Sequence, residues 1–166
     1  AGMSTCDFRY VSHRIIPGKP GLPGLPATFG TEQQAMTLCI LCRDEHADLE
    51  LELRYSVFET LHAIVRSAIV RNTGRADCRL KRLLSVTLTL DGDGYDMLTL
   101  NGSWARERHV ERCRLHMGKQ RIDSMRGESS HQHNPFFALA EQGADEDRGV
   151  CYALNLIYSG NFMAQA

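Results

Sequence analysis

The sequence predicts an all-β fold made of antiparallel sheets. Three observations support this prediction: apolar and polar residues alternate with a period of two in short runs, turn-forming residues separate these runs at regular intervals, and no amphipathic segment exceeds about two helical turns. Strands that follow one another without intervening helices are typical of β-sandwiches. We therefore expect the 166 residues to form one sandwich domain with a substantial core.

The first predicted strand spans residues 7–16 and leads into a proline-rich stretch. Proline recurs at every third position over residues 17–26, which matches the three-residue repeat of polyproline II. An SH3-type ligand is one reading, but we favour a rigid connector that packs Leu22 and Leu25 against the sheet. In the first strand, the side chains expected to be buried are Phe8, Tyr10 and Val11, with Arg9 directed outward.

Three further strands are predicted in the first half of the chain. Residues 35–41 form an apolar strand, residues 43–48 form a polar turn, and residues 62–70 form a strand that ends at an Asn-Thr-Gly turn. Residues 49–57 alternate strictly, which indicates a sheet with one solvated face. The apolar set is Leu49, Leu51, Leu53, Tyr55 and Val57, and the polar set is Glu50, Glu52, Arg54 and Ser56.

The second half of the chain predicts six more strands. In residues 84–90, leucine and valine alternate with serine and threonine, and the Asp-Gly-Asp-Gly sequence at residues 91–94 is a strong hairpin signal. The partner strand of this predicted hairpin is residues 95–100. The remaining predicted strands are residues 104–110, 120–125, 136–139 and 150–158.

Composition and charge exclude several classes of function. The 19 basic and 20 acidic residues are interspersed and give a net charge of -1, so we expect no nucleic-acid partner. The apolar runs are short and interrupted by charge, so we expect no membrane helix. The chain opens with Ala1-Gly2 rather than with an initiator methionine, so we expect a fragment, and the lack of a signal-peptide pattern carries little weight. The cytoplasmic location that we expect rests on the cysteines, which are predicted to be reduced.

The six cysteines are predicted to be reduced thiols, most of them packed in or beside strands. Cys39 and Cys42 have the spacing of a redox or zinc pair, but residues three apart in a strand point to opposite faces. His131 and His133 would project to one side of an extended segment, yet no third ligand lies nearby in sequence. We therefore predict neither a metal nor a cofactor.

Two polar stretches are candidate contact surfaces. The segment that runs from Arg126 through Ser129, Ser130 and His131 to Asn134 carries donors and acceptors side by side and ends before a proline. As a regular strand, residues 104–109 would place Trp104, Arg106 and Arg108 on one face, as a sugar or carboxylate platform or as a set of cross-strand contacts.

Six stretches taken in order give the chain a family resemblance. They are Arg9-Tyr-Val-Ser-His-Arg14, Gly18-Lys-Pro-Gly-Leu-Pro-Gly-Leu-Pro-Ala27, Tyr55-Ser-Val-Phe58, Gly102-Ser-Trp-Ala-Arg-Glu-Arg108, Arg126-Gly-Glu-Ser-Ser-His-Gln-His-Asn-Pro-Phe136 and Ile157-Tyr-Ser-Gly-Asn-Phe162. Together they resemble the N-terminal domain of the family 36 glycoside hydrolases, the bacterial and fungal α-galactosidases. The resemblance covers nearly the whole chain in colinear order.

The resemblance implies a galactose mutarotase-like antiparallel β-supersandwich that precedes a (β/α)8 catalytic barrel, often within a tetramer. It implies retaining hydrolysis of terminal α-galactosides such as melibiose and raffinose-type sugars by two carboxyl groups about 5 Å apart. In the family both are aspartates of the barrel, so no catalytic residue is expected in residues 1–166. The expected fragment begins after an upstream acidic-aromatic motif, whose role is not transferred to Asp7 and Phe8.

Within this resemblance, the two polar stretches are expected to contact the barrel or a sister subunit. Arg126, Ser129, Ser130, His131 and Asn134 would order that interface, with Trp104, Arg106 and Arg108 close by. Two alternatives stay open: a stand-alone carbohydrate-binding β-sandwich that uses the tryptophan and its arginines, and a protein-interaction domain that uses the proline-rich stretch.

Overall fold

A computed structural model describes residues 5–24, 26–92, 94–158 and 160–166. The chain divides into two compact units. Unit 1 comprises Ala1–Pro23 and Thr28–Leu88, and unit 2 comprises Gly24–Ala27 and Thr89–Ala166. The structure is all-β and antiparallel in both units, as the sequence predicts.

Unit 1 contains one four-stranded antiparallel sheet with the order β1-β2-β3-β4, so each strand pairs with the next along the chain. A 3₁₀ turn, Glu59–Leu61, separates the last two strands, and His62 closes it in the left-handed conformation with φ 48°. The strands are β1 Arg9–Pro17, β2 Met36–Asp44, β3 Leu49–Phe58 and β4 Ala63–Asn72. All four were predicted, within a few residues at each end.

The turn between β2 and β3 is held by the carboxylate of Asp44. This buried side chain accepts hydrogen bonds from the backbone N–H groups of Asp7 (2.8 Å), His46 (3.0 Å) and Ala47 (3.0 Å). These bonds, with that of Asp7 the strongest, lower the pKa of Asp44. Asp48 completes the turn with φ 51°, a conformation that aspartate tolerates better than most residues.

The solvated face predicted for β3 is wrong. Glu52 is only 6% exposed and Ser56 is also buried, whereas Val57 on the opposite face is exposed. The pleat itself is regular, since β3 pairs in unbroken register with both neighbours. Alternation therefore assigned the residues to two faces correctly, but it did not tell which face is covered.

The first strand is more exposed than predicted. The side chain of Tyr10 is 61% exposed and Val11 is also exposed, because β1 is an edge strand that pairs only with β2. Phe8 is half-buried, as is Leu22 of the proline-rich stretch. Leu25, predicted to pack against the sheet, lies outside the described residues.

Residues 84–90 do not form the predicted strand. Their leucine and valine side chains alternate as a strand would require, but Leu84, Val86 and Leu88 are exposed. No strand of the described residues pairs with this segment, so the predicted hairpin at residues 91–94 is absent there. Asp93 of the predicted turn lies outside the described residues.

Unit 2 contains a four-stranded sheet with the order β6-β5-β8-β9 and a two-stranded sheet that pairs β10 with β7. Five of these six strands were predicted, and the four-residue strand β10 was missed. The strands are β5 Tyr95–Ser103, β6 Arg106–Arg114, β7 Arg121–Ser124, β8 His133–Glu141, β9 Cys151–Asn155 and β10 Phe162–Gln165.

The core of unit 2 joins strands from both of its sheets. Met97 and Phe137 come from the larger sheet, and Ile122 and Phe162 come from the smaller one. Because all four side chains are buried together, the short β7–β10 ribbon gains the packing that an isolated two-stranded ribbon lacks. Leu115, Leu139, Leu154, Leu156 and Ala164 surround this cluster.

The cysteines are less buried than predicted. Only Cys39 is buried and Cys42 is half-buried, while Cys6, Cys78, Cys113 and Cys151 are exposed. Among the described residues, no helix is long and apolar enough to cross a membrane.

Candidate functional site

The first candidate stretch forms the tip of the hairpin between β5 and β6. Trp104 lies at this tip with its side chain 84% exposed. Ala105 follows with φ 60°, and its N–H donates to a carboxylate oxygen of Glu107 at 2.9 Å. The tryptophan is therefore presented on an ordered turn.

A β-bulge in β6 changes the direction of Arg108. Asn101 pairs with His109 and Ser103 pairs with Arg106. An advance of two residues along β5 therefore corresponds to three residues along β6, so β6 carries one extra residue. Arg108 lies within this bulge and has φ 60°, a strained conformation for a residue with a long side chain. The predicted alternation of Trp104, Arg106 and Arg108 along one face is therefore wrong.

Gly102 permits this bulge by its lack of a side chain. A Cβ atom built on Gly102 would overlap the carbonyl oxygen of Arg106 and lie 2.9 Å from the Cα atom of Glu107. The backbone of the bulge thus occupies the space that any other residue would fill.

The second candidate stretch is the loop between β7 and β8, and local hydrogen bonds hold it. The hydroxyl of Ser124 donates to the carbonyl oxygen of Glu128 at 2.6 Å, and the N–H of Gly127 donates to the side-chain oxygen of Asn161 at 2.6 Å. The hydroxyl oxygen of Ser130 accepts from the N–H of Gln132 at 3.3 Å. The loop is therefore an ordered polar surface.

This loop is tied to the strand that carries the hairpin. The N–H of Gly102 donates to the carbonyl oxygen of Gln132 at 3.3 Å, and the side-chain amide of Asn134 donates to the carbonyl oxygen of Leu100 at 3.2 Å. His133 pairs with Asn101 in the sheet, and its Nδ1 lies 3.0 Å from the carbonyl oxygen of Asp123.

The structure brings two of the predicted residues to one cavity. Arg108 and Asn134 line a concavity of about 300 Å³ in unit 2. Ser129 and Ser130 are half-buried in the adjoining loop, whereas Arg126 and His131 are exposed. Among the described residues, the side chains of Trp104, Arg106 and Arg126 form no hydrogen bond with the loop. The other residues that line the concavity are Leu100, Pro135, Phe136 and Asn155.

Sequence reasoning missed Gly102 and Asn155. A glycine inside a strand pattern signals a bulge or a close backbone approach, so Gly102 could have been found. Asn155 gave no such signal, because only the pairing of β9 with β8 places it opposite Phe136.

Unit 1 carries a separate charged cluster around Glu52. Its carboxylate lies 2.6 Å from Arg54, 3.3 Å from Arg71 and 3.7 Å from Arg14. Burial alone would raise the pKa of Glu52, but hydrogen bonds and charge attraction from Arg54 and Arg71 outweigh burial and lower the pKa. The pKa of Lys19 is lowered by burial and by the charge of Arg54.

The described residues contain no group of three or more histidine, cysteine or acidic side chains placed to hold a metal ion. Their strands, all antiparallel, define a β-sheet domain whose predicted contact residues lie on a bulged hairpin and an ordered polar loop. The chain belongs to the N-terminal domain of glycosyl hydrolase family 36, which matches residues 1–166.

Curated relatives of this chain are α-galactosidases. The chain is 46% identical over 165 residues to alpha-galactosidase AgaA of Geobacillus stearothermophilus, a match that covers 99% of the chain and 23% of that protein. It is 41% identical over 165 residues to alpha-galactosidase C of Emericella nidulans, covering 99% of the chain and 22% of that protein. The chain thus spans less than a quarter of the length of these relatives.

Solved structures show the same fold. The crystal structure of AgaA matches with a TM-score of 0.95 at 45% identity, covering 99% of this chain and 23% of that one. A variant of AgaA in complex with raffinose matches with a TM-score of 0.90 at 44% identity and the same coverage. These matches confirm the predicted antiparallel β-sandwich fold.

Proposed function

We propose that this chain is the N-terminal part of an α-galactosidase that hydrolyses terminal α-galactosyl residues of melibiose and raffinose-type oligosaccharides. The observation that carries the proposal is the family match over residues 1–166, joined by curated relatives that are α-galactosidases at 41–46% identity. The raffinose complex of the AgaA variant supports the substrate class.

The proposed chemistry needs two carboxyl groups about 5 Å apart, one to attack the anomeric carbon and one to donate and then accept a proton. We assign neither group to residues 1–166. Glu107 is engaged with the backbone of Ala105, and Glu111 binds the amide of Asn101 at 2.6 Å, which favours structural roles for both. The catalytic pair is proposed to lie in a (β/α)8 barrel elsewhere in the polypeptide, and the chain alone is proposed to be inactive.

The role proposed for this chain is to form an interface with that barrel and with sister subunits of a homo-oligomer, which we propose is a tetramer. Ordered polar loops suit this role, because polar groups that become buried in an interface need fixed partners. The residues proposed for the interface are Trp104, Arg106, Arg108, Arg126, Ser129, Ser130, His131 and Asn134.

The activity is tested with the full-length protein encoded by the continuous reading frame. We expect it to release galactose from melibiose and raffinose, and proton NMR of the first product should show the α-anomer, as a retaining reaction requires. A full-length protein without α-galactosidase activity would refute the proposed function. A first product that is the β-anomer would refute the retaining mechanism.

The interface role is tested by His131→Ala and Asn134→Ala in the same full-length protein. We expect lower thermal stability and partial dissociation, measured by differential scanning fluorimetry and light scattering, together with a reduced kcat. Lys119→Ala, which removes an exposed side chain outside the two candidate stretches, is the control. If both variants match the control in assembly, stability and kcat, the residues have no interface role.

A second candidate function is a stand-alone carbohydrate-binding module. The exposure of Trp104 on an ordered turn favours it, because aromatic faces stack on sugar rings. Isothermal titration of the 166-residue chain with galactose, melibiose and raffinose separates the two functions. Saturable binding that Trp104→Ala abolishes would favour the module, and no heat with any sugar would favour the interface role.

We also propose that the protein works in a reducing compartment, the cytoplasm. Four of its thiols are exposed and free, a pattern that oxidising compartments disfavour. Subcellular fractionation of the source cells tests this localisation, and recovery outside the cytoplasm would contradict it.

A further inference from the structure

The concavity in unit 2 has features of a binding site as well as of an interface. Its volume of about 300 Å³ is larger than one small functional group needs, and it opens to solvent beside β5. Its wall combines apolar side chains with one guanidinium group and two side-chain amides. The lining residues are Leu100, Arg108, Asn134, Pro135, Phe136 and Asn155.

Two bulges at the same level of the sheet build this concavity. On one side of β5, the bulge in β6 carries Arg108. On the other side, Thr99 pairs with Phe137 and Asn101 pairs with His133. An advance of two residues along β5 therefore corresponds to four residues along β8. The extra residues of β8 include Asn134. Bulges are frequent beside functional sites because they redirect a side chain out of the regular pleat.

Arg108 is held there at a conformational cost. Its φ of 60° is unfavourable for a side chain of this size, and such outliers persist only where the surrounding structure fixes them. The close approach allowed by Gly102 supplies that constraint from the neighbouring strand. The strain thus lies on Arg108, the one charged residue among the described lining residues of the concavity.

The guanidinium of Arg108 has no ionic partner among the described residues, although other arginines of this unit do. Arg112 pairs with Asp96 at 2.7 Å, and Arg121 pairs with Asp123 at 3.2 Å. The lining residues that the structure describes include no aspartate or glutamate. A guanidinium covered by a docked ligand would lose its hydration, and only an anion compensates that loss well.

We propose that this concavity is a carboxylate-binding site, filled by an aspartate or glutamate side chain of the protein segment that docks on unit 2. The planar fork of Arg108 matches a carboxylate through two parallel hydrogen bonds. The side-chain amides of Asn134 and Asn155 add donors, and Leu100, Pro135 and Phe136 contact the methylene stem. A single cationic side chain suits a monoanionic carboxylate better than a dianionic phosphate.

The proposal rests on the interface role, and it is tested first with the smallest carboxylate. Sodium acetate is titrated into the isotopically labelled 166-residue chain, and the NMR signals of the arginine Nε–H group and of the asparagine side-chain amides are followed. We expect saturable shifts at Arg108, Asn134 and Asn155 with a Kd on the order of 10 mM, since acetate has only four heavy atoms. Acetamide and sodium chloride, the neutral isostere and the ionic-strength control, should leave these signals in place.

Variants test whether the acetate-induced NMR shifts arise at this concavity. Arg108→Gln should weaken acetate binding by about tenfold, and Arg108→Lys should fall between it and the wild type because lysine keeps the charge without the fork. Lys119→Gln, which removes an exposed positive charge outside the lining, should bind acetate like the wild type. Shifts that sodium chloride reproduces, or that persist in Arg108→Gln, would overturn the proposal.

Two ligands distinguish a protein side chain from a sugar acid as the source of the carboxylate. The peptide acetyl-Leu-Glu-Leu-amide should bind more tightly than D-glucuronate, because its leucines extend the apolar contacts. Tighter binding of glucuronate would overturn the assignment to a protein side chain.

A measurement in the full-length protein covers the case in which the 166-residue chain does not fold alone. Arg108→Gln should lower the melting temperature more than Lys119→Gln, which removes an exposed cation outside the lining and outside both candidate stretches, and the difference should shrink at high salt. Equal melting temperatures would overturn the docking proposal. A full-length protein that lacks α-galactosidase activity while the chain still binds acetate through Arg108 would instead refute the proposed function alone.

Discussion

Glu52 and Arg54 lie two positions apart on β3, and the Nε–H of Arg54 donates to the Glu52 carboxylate at 2.6 Å. Their side chains point to the same face, where Arg71 from β4 binds the second carboxylate oxygen at 3.3 Å. A buried carboxylate is therefore kept ionised by two guanidinium groups. Breaking this arrangement should affect unit 1 far more than the loss of an exposed ion pair would.

Acid should destabilise unit 1 through this carboxylate. The folded state lowers the pKa of Glu52 from its ordinary value of 4.5, so its contribution is fully present above that value and is lost as the pH falls through the lower, folded value. The lowered pKa of Asp44 acts in the same direction. Urea unfolding followed by circular dichroism between pH 7 and pH 3 should show this decline, and a free energy of unfolding that rises below pH 4.5 would contradict it.

Replacing the carboxylate by an amide should remove part of that pH dependence. Glu52→Gln should lower the free energy of unfolding at pH 7 by about 1–3 kcal/mol, since it weakens hydrogen bonds to charged groups in a buried site. Glu32→Gln, at an exposed glutamate, is the matched control and should change little. Equal stability of the two variants by urea unfolding would show that Arg54 and Arg71 do not depend on Glu52.

Gly102→Ala should disrupt the bulge in β6. The added methyl group would overlap the Arg106 carbonyl, and relief of that overlap should cost about 1–3 kcal/mol of stability. Thermal unfolding measures the cost, and loss of the acetate-induced shift at Arg108 would report the local change. The control is Gly94→Ala, because a Cβ atom there meets nothing within 4 Å. Equal melting temperatures would mean that the bulge relaxes freely.

Phe162→Ala should destabilise unit 2 by about 3–5 kcal/mol, the usual cost of truncating a buried aromatic side chain. Phe162 belongs to the four-residue core and anchors the short strand β10. Met163→Ala, at the next residue, should have a small effect because Met163 is exposed. Hydrogen exchange should also show faster exchange in β7 and β10 of Phe162→Ala, and unchanged protection there would contradict the packing.

The exposed segment at residues 84–90 should promote association of the 166-residue chain, because it presents alternating apolar side chains and unpaired backbone groups. A double variant, Leu84→Ser with Leu88→Ser, should shift sedimentation toward the monomer. Thr87→Ser, which keeps the apolar residues, should sediment like the wild type. A wild-type chain that is already monomeric and melts cooperatively would contradict this prediction.

Local patterning was sufficient to predict nine of the ten observed strands. In residues 49–57 the period of two is strong, and hydrogen-bonded turns such as the one around Asp44 separate the strands. The same pattern failed at residues 84–90, because a strand also needs a pairing partner and its own residues do not encode one. The prediction of burial failed for a related reason at Tyr10 and Glu52, because the exposure of these side chains depends on their neighbours across the sheet.

The candidate site was predictable only in part. Arg108 and Asn134 stood out as residue types, but their meeting depends on two bulges that shift the pairing of β5 with both neighbours. A regular strand at residues 104–109 would have placed Arg108 on the same face as Trp104, and the bulge prevents this. Asn155 could not be found at all, since its place depends on the register of β9.

Trp104 is the sole tryptophan of the sequence, and it lies at the tip of the β5–β6 hairpin with most of its indole ring in water. Tryptophan fluorescence from these 166 residues therefore comes from one known position. Its emission should be red-shifted and readily quenched by iodide while the tip is free, and it should move to shorter wavelength when another surface covers it. The protein thus carries a natural optical label for assembly at the hairpin tip, without chemical modification.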